Sequence, residues 1–145
     1  MAIEKPRAVL DTNVFVSAFL SRNPSSPTQE LVRRWLADEF VLISSVPLLE
    51  ELSGKLLERG IETTRVTEFI ELITRLGEVV ELKGDAPDRV IASDADDDIV
   101  VASAVMGRTN YLVTYDPHCD ILQGDYQGIK ILKAIPFLRV LRGDS

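Results

Sequence analysis

Apolar residues recur along this chain in short continuous runs and in helical stripes, and the alternation of the two predicts its architecture. Ala8-Val-Leu10 is a short apolar run, read as a buried strand over about residues 7–11. Val14 to Leu20 is apolar almost throughout and reads as a short buried helix. Ser21 to Pro27 is rich in turn-formers and ends as a helix start, with Ser26 as N-cap, Pro27 at the first helical position and Gln29 three residues after Ser26. Leu31, Val32, Trp35 and Leu36 carry that helix to about Asp38, and Phe40 to Ile43 is a strand. Ser44-Ser45 opens the next helix, which tolerates Pro47 in its first turn, faces the core with Leu48, Leu49, Leu52 and Leu56, and stops at Gly60. A further helix over about 64–76 repeats Val66, Phe69, Ile70, Ile73 and Leu76 at i, i+3, i+4 and i+7, with Gly77 after it.

The second half continues the alternation. Glu78 to Leu82 is a strand, Lys83 to Ser93 a loop, Ile99 to Met106 a buried helix ending at Gly107, and Tyr111 to Thr114 a strand. A short helix, a last strand at Lys130 to Leu132 and a terminal segment from Ile135 to Leu141 complete the chain. Strands alternating with helices predict an α/β fold, a three-layer α/β/α sandwich with a mostly parallel central sheet. No repeat, low-complexity tract or linker divides it, so one domain over residues 1–145 is expected.

Composition narrows the chemistry. With 46% hydrophobic and 27% charged residues the chain is of the globular class, and no apolar run approaches the roughly 18 residues of a membrane span. The N-terminal residues lack the apolar core of a signal peptide, which makes the cytoplasm the expected location. Cys119 is the only cysteine and His118 the only histidine, so an intrachain disulfide, a thiolate zinc site and a histidine metal cluster are all excluded. Both residues read as structural or incidental.

The net charge of −7 is unfavourable for a protein that touches nucleic acid, but the acids are not spread evenly. Asp11, Asp94, Asp96, Asp97, Asp98 and Asp116 supply nearly all of it. Asp11 and Asp116 each follow a short apolar strand, Asp94 to Asp98 begin a helix, and Glu50-Glu51 lie in the first turns of another. In a parallel sheet, strand C-termini and the N-termini of the following helices share one edge, where ligands sit. Each acid alone has a plain structural reading, as a helix cap, a solvated face or a turn. Together at one edge they repel unless a cation intervenes, and an oxygen-only donor set suits Mg²⁺ or Mn²⁺. Such ions serve phosphodiester hydrolysis. Arg7, Arg22, Arg33, Arg34, Arg59 and Arg108 are then candidates to hold a polyanionic backbone.

The ordered set Asp11-Thr-Asn13, Glu51-Leu52, Asp94-x-x-Asp97 before an alanine-bearing apolar helix, and Leu112-Val-Thr-x-Asp116 resembles PIN-domain ribonucleases over about residues 7–138. It is most similar to the VapC toxins of bacterial and archaeal toxin–antitoxin systems. The resemblance implies a PIN-like, Rossmann-like sheet and an endoribonuclease whose four acids, Asp11, Glu51, Asp97 and Asp116, hold one or two Mg²⁺ or Mn²⁺ ions. Asn13 and Thr114 match polar positions beside the acids, and Asp94 a frequent additional acid that caps the helix or supports the metal. Helical periodicity does not separate Glu50 from Glu51. The Leu52 and Leu56 that follow favour Glu51, and the spacing to Ala104 favours Asp97 over Asp96 and Asp98.

The implied partners are an RNA substrate, a small antitoxin protein and a second copy of the chain, with the helices at 26–38 and 64–76 offering apolar surface for a homodimer. Two other readings compete. A Mg²⁺-dependent phosphatase or phosphoacceptor also places an Asp after its first strand, but Asn13 stands where the phosphatase pattern needs a second Asp, and no lysine lies near Thr114–Asp116. A non-catalytic PIN-like module that binds RNA or protein would not need all four acids, and all four are present.

Overall fold

β1, Arg7–Leu10, is buried from Ala8 onward and is the axis on which the sheet is laid out. The structure, a computed structural model, describes residues 5–82, 95–115 and 124–143, and for 95–98 the backbone alone. After β1 come α1 (Thr12–Leu20), α2 (Pro27–Leu36), β2 (Val41–Ser45), α3 (Val46–Glu58), α4 (Thr63–Leu76) and β3 (Glu78–Val80). Then follow α5 (Ala95–Met106), β4 (Tyr111–Val113), β5 (Asp125–Tyr126), β6 (Ile129–Leu132) and α6 (Ala134–Arg142).

Among the described residues the strands are ordered β3-β2-β1-β4-β6-β5, all parallel except the β5–β6 pair. The chain lays β2 and β3 on one side of β1 and then crosses to place β4 on the other. The strand order therefore reverses between β1 and β4, and the C-terminal ends of these two strands flank the crevice where open α/β sheets bind ligands. Asp11 follows β1 there and Thr114 follows β4. The backbone ties them into the ladder, with Asp11 N–H donating to Val113 O at 2.9 Å and Thr114 N–H to Leu132 O at 3.0 Å.

Period-two alternation sends neighbouring strand residues to opposite faces. Ala8, Leu10, Leu42 and Val113 point into a core shared with α1, α2, α3, α4 and α6, which includes Leu31, Trp35, Leu56 and Phe137. Val9, Ile43 and Leu112 point into a second core with Val100, Val101 and Ala104 of α5. The expected three layers and mostly parallel sheet are therefore present. α5 is fastened by a buried hydroxyl pair, Ser45 Oγ to Ser103 Oγ at 2.8 Å, and by Gly107, where an added Cβ would lie 2.3 Å from Ile43 Cγ2. This close approach sets how deeply α5 seats on β2.

Several boundaries differ from the expected ones, among them the start of α5 at Ala95 and the end of β3 at Val80, and three of the differences bear on how the sequence is read. α1 starts at Thr12, two residues earlier than the apolar run, because Asp11 caps it. β2 extends through Ser45, which is strand end and N-cap at once, accepting from Leu48 N–H. The expected short helix before the last strand lies partly outside the described residues. Within them, Asp125–Tyr126 instead pair antiparallel with β6 through a turn in which Gln127 and Gly128 both have positive φ. The more familiar Asn-Gly signature is absent there, and the hairpin is correspondingly hard to read from sequence. Among the described residues no helix is long and apolar enough to cross a membrane.

Candidate active site

Asp11 ends β1 and begins α1 in one residue. Its backbone is extended, its carboxylate accepts from Thr12 N–H at 2.7 Å through Oδ1, and it stands at the positive end of the helix. Its other oxygen, Oδ2, accepts from the Thr114 hydroxyl at 2.7 Å. The side chain is only 5% exposed. Burial pushes its pKa above the usual carboxylate range, and the neighbouring Glu51 charge adds to the rise. The Thr114 hydroxyl, the Thr12 N–H and the Lys55 ammonium oppose it.

Glu51 reaches the same place from α3. The Thr12 hydroxyl donates to Glu51 Oε1 at 2.8 Å, and Lys55, one turn along α3, approaches that oxygen at 2.9 Å and the Thr12 hydroxyl at 3.3 Å. Thr12 also stands 3.5 Å from Asp11 Oδ1, so its single hydroxyl lies between the two acids. One oxygen of Glu51 is thus fully engaged, while Oε2 is buried without a hydrogen-bond partner among the described residues. The same holds for Asn13 Oδ1, one residue into α1 from Thr12. Buried oxygens left without partners are costly, and in a native site they mark a place where something else binds.

Glu50 points elsewhere. It is exposed and lines a separate hollow between α3 and α4 with Val46, Leu49 and Glu71. The structure therefore brings together Asp11, Glu51 and Thr114 from the sequence-derived set, and places Asn13 on the first turn of α1 in a hollow it shares with Lys55. Asp97, with Asp96 and Asp98, lies on the first turn of α5, whose backbone alone is described. Asp94, Asp116, His118 and Cys119 lie outside the described residues.

Thr12 and Lys55 carry no role in the sequence reading, yet both contact Glu51. The i, i+4 spacing from Glu51 to Lys55 is a visible signal for one of them. The other required knowing that α1 and α3 meet.

Three of the candidate arginines are placed away from a polyanion path. Arg7 heads β1, at the opposite end of the strand from Asp11. It forks onto Glu78 at 2.9 and 3.0 Å and donates to Gly107 O. Arg108 borders the same hollow as Arg7 and Glu78. Arg34 is held by Glu30 at 2.8 Å and Glu39 at 2.6 Å. The partner of Arg7 lies 71 positions away, which no local pattern reveals. Arg22, Arg33 and Arg59 are exposed on the α1, α2 and α3 side, and Arg59 lines a hollow with Asn13 and Lys55.

Residues 7–118 match the family model described as PIN domain, and the chain belongs to that family. No curated protein matches the chain. Among solved structures, a chain of the crystal structure of VapBC2 from Rickettsia felis, bound to a DNA fragment from their promoter, shares the fold at a TM-score of 0.59. It is 13% identical, and the match covers 86% of this chain and 96% of that one. Membership in the PIN family argues against the phosphatase reading.

Proposed function

We propose that this protein is a metal-dependent endoribonuclease, the toxin of a toxin–antitoxin pair. The observation that carries the reading is the Asp11–Thr12–Glu51 arrangement at the β1/β4 switch point, with Glu51 Oε2 buried and without a partner among the described residues, beside a buried Asp11. The donors are oxygens alone, which fits Mg²⁺ or Mn²⁺ and not zinc. Asp11 and Glu51 would hold the ion, joined by Asp97, Asp116 and Asp94. When bound, the ion activates water, polarises the phosphoryl oxygen and stabilises the leaving oxygen.

The chain's own groups set the geometry. Thr114 and the Thr12 N–H fix both oxygens of Asp11, so its carboxylate cannot rotate away. Thr12 and Lys55 hold Oε1 of Glu51 and leave Oε2 for the ion. Asn13, on the first turn of α1 and in a hollow shared with Lys55, would contribute its buried carbonyl oxygen as a neutral group that orients without adding charge. Lys55 offsets part of the repulsion between Asp11 and Glu51, which lets both acids stay close before an ion arrives.

Support for the toxin half is the shared fold with the VapBC2 chain, and for a nuclease it is PIN-family membership. RNA as substrate, a small antitoxin as partner, a homodimer and a cytoplasmic location belong to the same reading. The test is cleavage of structured RNAs in Mg²⁺, Mn²⁺ or EDTA, run beside Asp11→Asn. Cleavage that needs the ion and is lost in the variant is expected, and equal cleavage in EDTA would refute the mechanism.

A further inference from the structure

The far end of α1 carries a second concentration of chemistry. Phe19, Gln29, Val32, Arg33, Arg65 and Phe69, from α1, α2 and α4, line a hollow of about 480 Å³. Its floor is aromatic. The rings of Phe19 and Phe69 meet edge to face at 4.9 Å, and Phe69 is anchored to the core through Phe15 at 5.5 Å and Trp35 at 6.3 Å. The Arg65 guanidinium lies over Phe19, 5.4 Å from the ring centre. One wall is fixed by Gln29, whose Nε2 donates to Ala18 O at 3.0 Å and Ser21 O at 2.8 Å and so closes the C-terminal end of α1.

The lining of this hollow is cationic. Arg33 and Arg65 are both exposed, and among the described residues neither has a carboxylate partner, as is also true of Arg22, Arg59, Arg75, Arg108 and Arg139. What sets these two apart is that they meet over one aromatic hollow. No acid is among the described residues that line the hollow. Glu68 enters only in a smaller adjoining depression that shares Phe19, Arg65 and Phe69. In a chain of net charge −7, two arginines without carboxylate partners among the described residues, one of them laid over an aromatic floor, select an anion that also has a flat apolar face. A carboxylate-rich peptide would use the arginines and leave the rings unmatched. An unpaired nucleotide uses both, stacking its base and presenting its phosphate. Phe19 lies eight residues along the chain from Asp11, about 12 Å of helix, a distance one short single strand can cover.

We propose that this hollow is an RNA-binding subsite outside the cleavage centre: an unpaired base stacks against Phe19 and Arg65, and Arg33 holds the adjacent phosphate. The inference rests on the nuclease reading for its substrate, but the two can fail separately. The test is fluorescence anisotropy of labelled oligouridine with the full-length protein in EDTA, where the strand is not cut. Arg65→Ala is expected to weaken binding about tenfold, with Arg65→Lys recovering only part because it keeps charge without the planar group. Arg33→Ala should lower the slope of log affinity against log salt by about 0.7, one single-strand phosphate contact. Phe19→Leu should weaken binding about fivefold or more while preserving bulk. Should that variant fail to fold, the two exposed arginines still decide.

Absence of wild-type binding, or binding by both alanine variants within about twofold of wild type with unchanged salt slopes, would overturn the subsite. So would arginine variants that lose an Asp/Glu-rich peptide but keep RNA, which would assign the hollow to a protein partner. Arginine-dependent RNA binding without metal-dependent cleavage would leave the subsite standing and sink the nuclease reading. Metal-dependent cleavage with arginine-independent binding would do the reverse.

Discussion

The Thr12 hydroxyl donates a 2.8 Å hydrogen bond to Glu51 Oε1, joining the first turn of α1 to α3 across 39 positions of sequence. This bond turns two acids on separate elements into one arrangement, because Thr12 is also the residue whose N–H fixes Asp11. Thr12→Val keeps the shape and the N–H but removes the hydroxyl. Glu51 is then held by Lys55 alone, and cleavage should fall about 10–100-fold, as expected for a partner that orients a ligand. The Mg²⁺ concentration that gives half-maximal thermal stabilisation should rise in parallel, and Thr12→Ser should restore both. A merely structural Thr12 would change the melting temperature without moving the Mg²⁺ midpoint.

Two glycines should respond to the same substitution with opposite signs. Gly54 sits within α3 with nothing within 4 Å of an added Cβ, so Gly54→Ala should stabilise by about 0.5–1 kcal/mol through lost unfolded-state freedom. At Gly107 the added Cβ would lie 2.3 Å from Ile43 Cγ2 and 3.0 Å from Ser103 O. Gly107→Ala should therefore destabilise by roughly 1–3 kcal/mol, as overpacking does. Urea unfolding of the two variants beside wild type measures both.

The layer order and sheet class were legible because the central strands are short apolar runs and α2, α3 and α4 carry clear stripes, as in Val66, Phe69, Ile70 and Ile73 of α4. The hairpin of β5 was not, since Asp125-Tyr126 is too short to carry a period and Gln127-Gly128 is a weak turn signature. At the site, Asp11 was conspicuous as a carboxylate ending an apolar run, and Thr114 as a hydroxyl at the end of another. Thr12 and the Arg7–Glu78 pair were not, because their partners are 39 and 71 positions away and only the tertiary fold brings them close. Sequence shows which groups are available, and contact between distant elements assigns them work.

The buried Asp11 predicts a pH-dependent cost. Its folded pKa lies above the ordinary 3.8, so the folded state holds its proton more tightly than the unfolded chain does. The stability linked to this proton is therefore present below pH 3.8 and lost as pH rises through the raised folded value. In EDTA at neutral pH, Asp11→Asn should melt a few degrees higher than wild type. That advantage should close as the pH falls below 3.8, where the wild-type carboxyl is protonated in both states. Mg²⁺ should stabilise the wild type and leave the Asn variant nearly unchanged. Thermal melts across pH, with and without Mg²⁺, check both halves, and an Asn variant less stable than wild type at neutral pH would contradict the burial argument.

Glu50 and Glu51 are adjacent in sequence and stand in different surroundings. Glu51 lies 2.8 Å from Thr12 with its second oxygen buried, whereas Glu50 is exposed beside Glu71 on the outer side of α3. Glu51→Gln replaces the charge on the inward carboxylate with a neutral amide. It should lower cleavage by more than the roughly 10–100-fold expected of an orienting residue such as Thr12. It should also weaken Mg²⁺ stabilisation while leaving the circular dichroism spectrum unchanged. Glu50→Gln removes an equal charge one position away and should leave cleavage within about twofold, since an exposed carboxylate facing another hollow acts on the site only through high-dielectric solvent. Similar losses in the two variants would mean that net charge on α3, and not a placed carboxylate, governs activity.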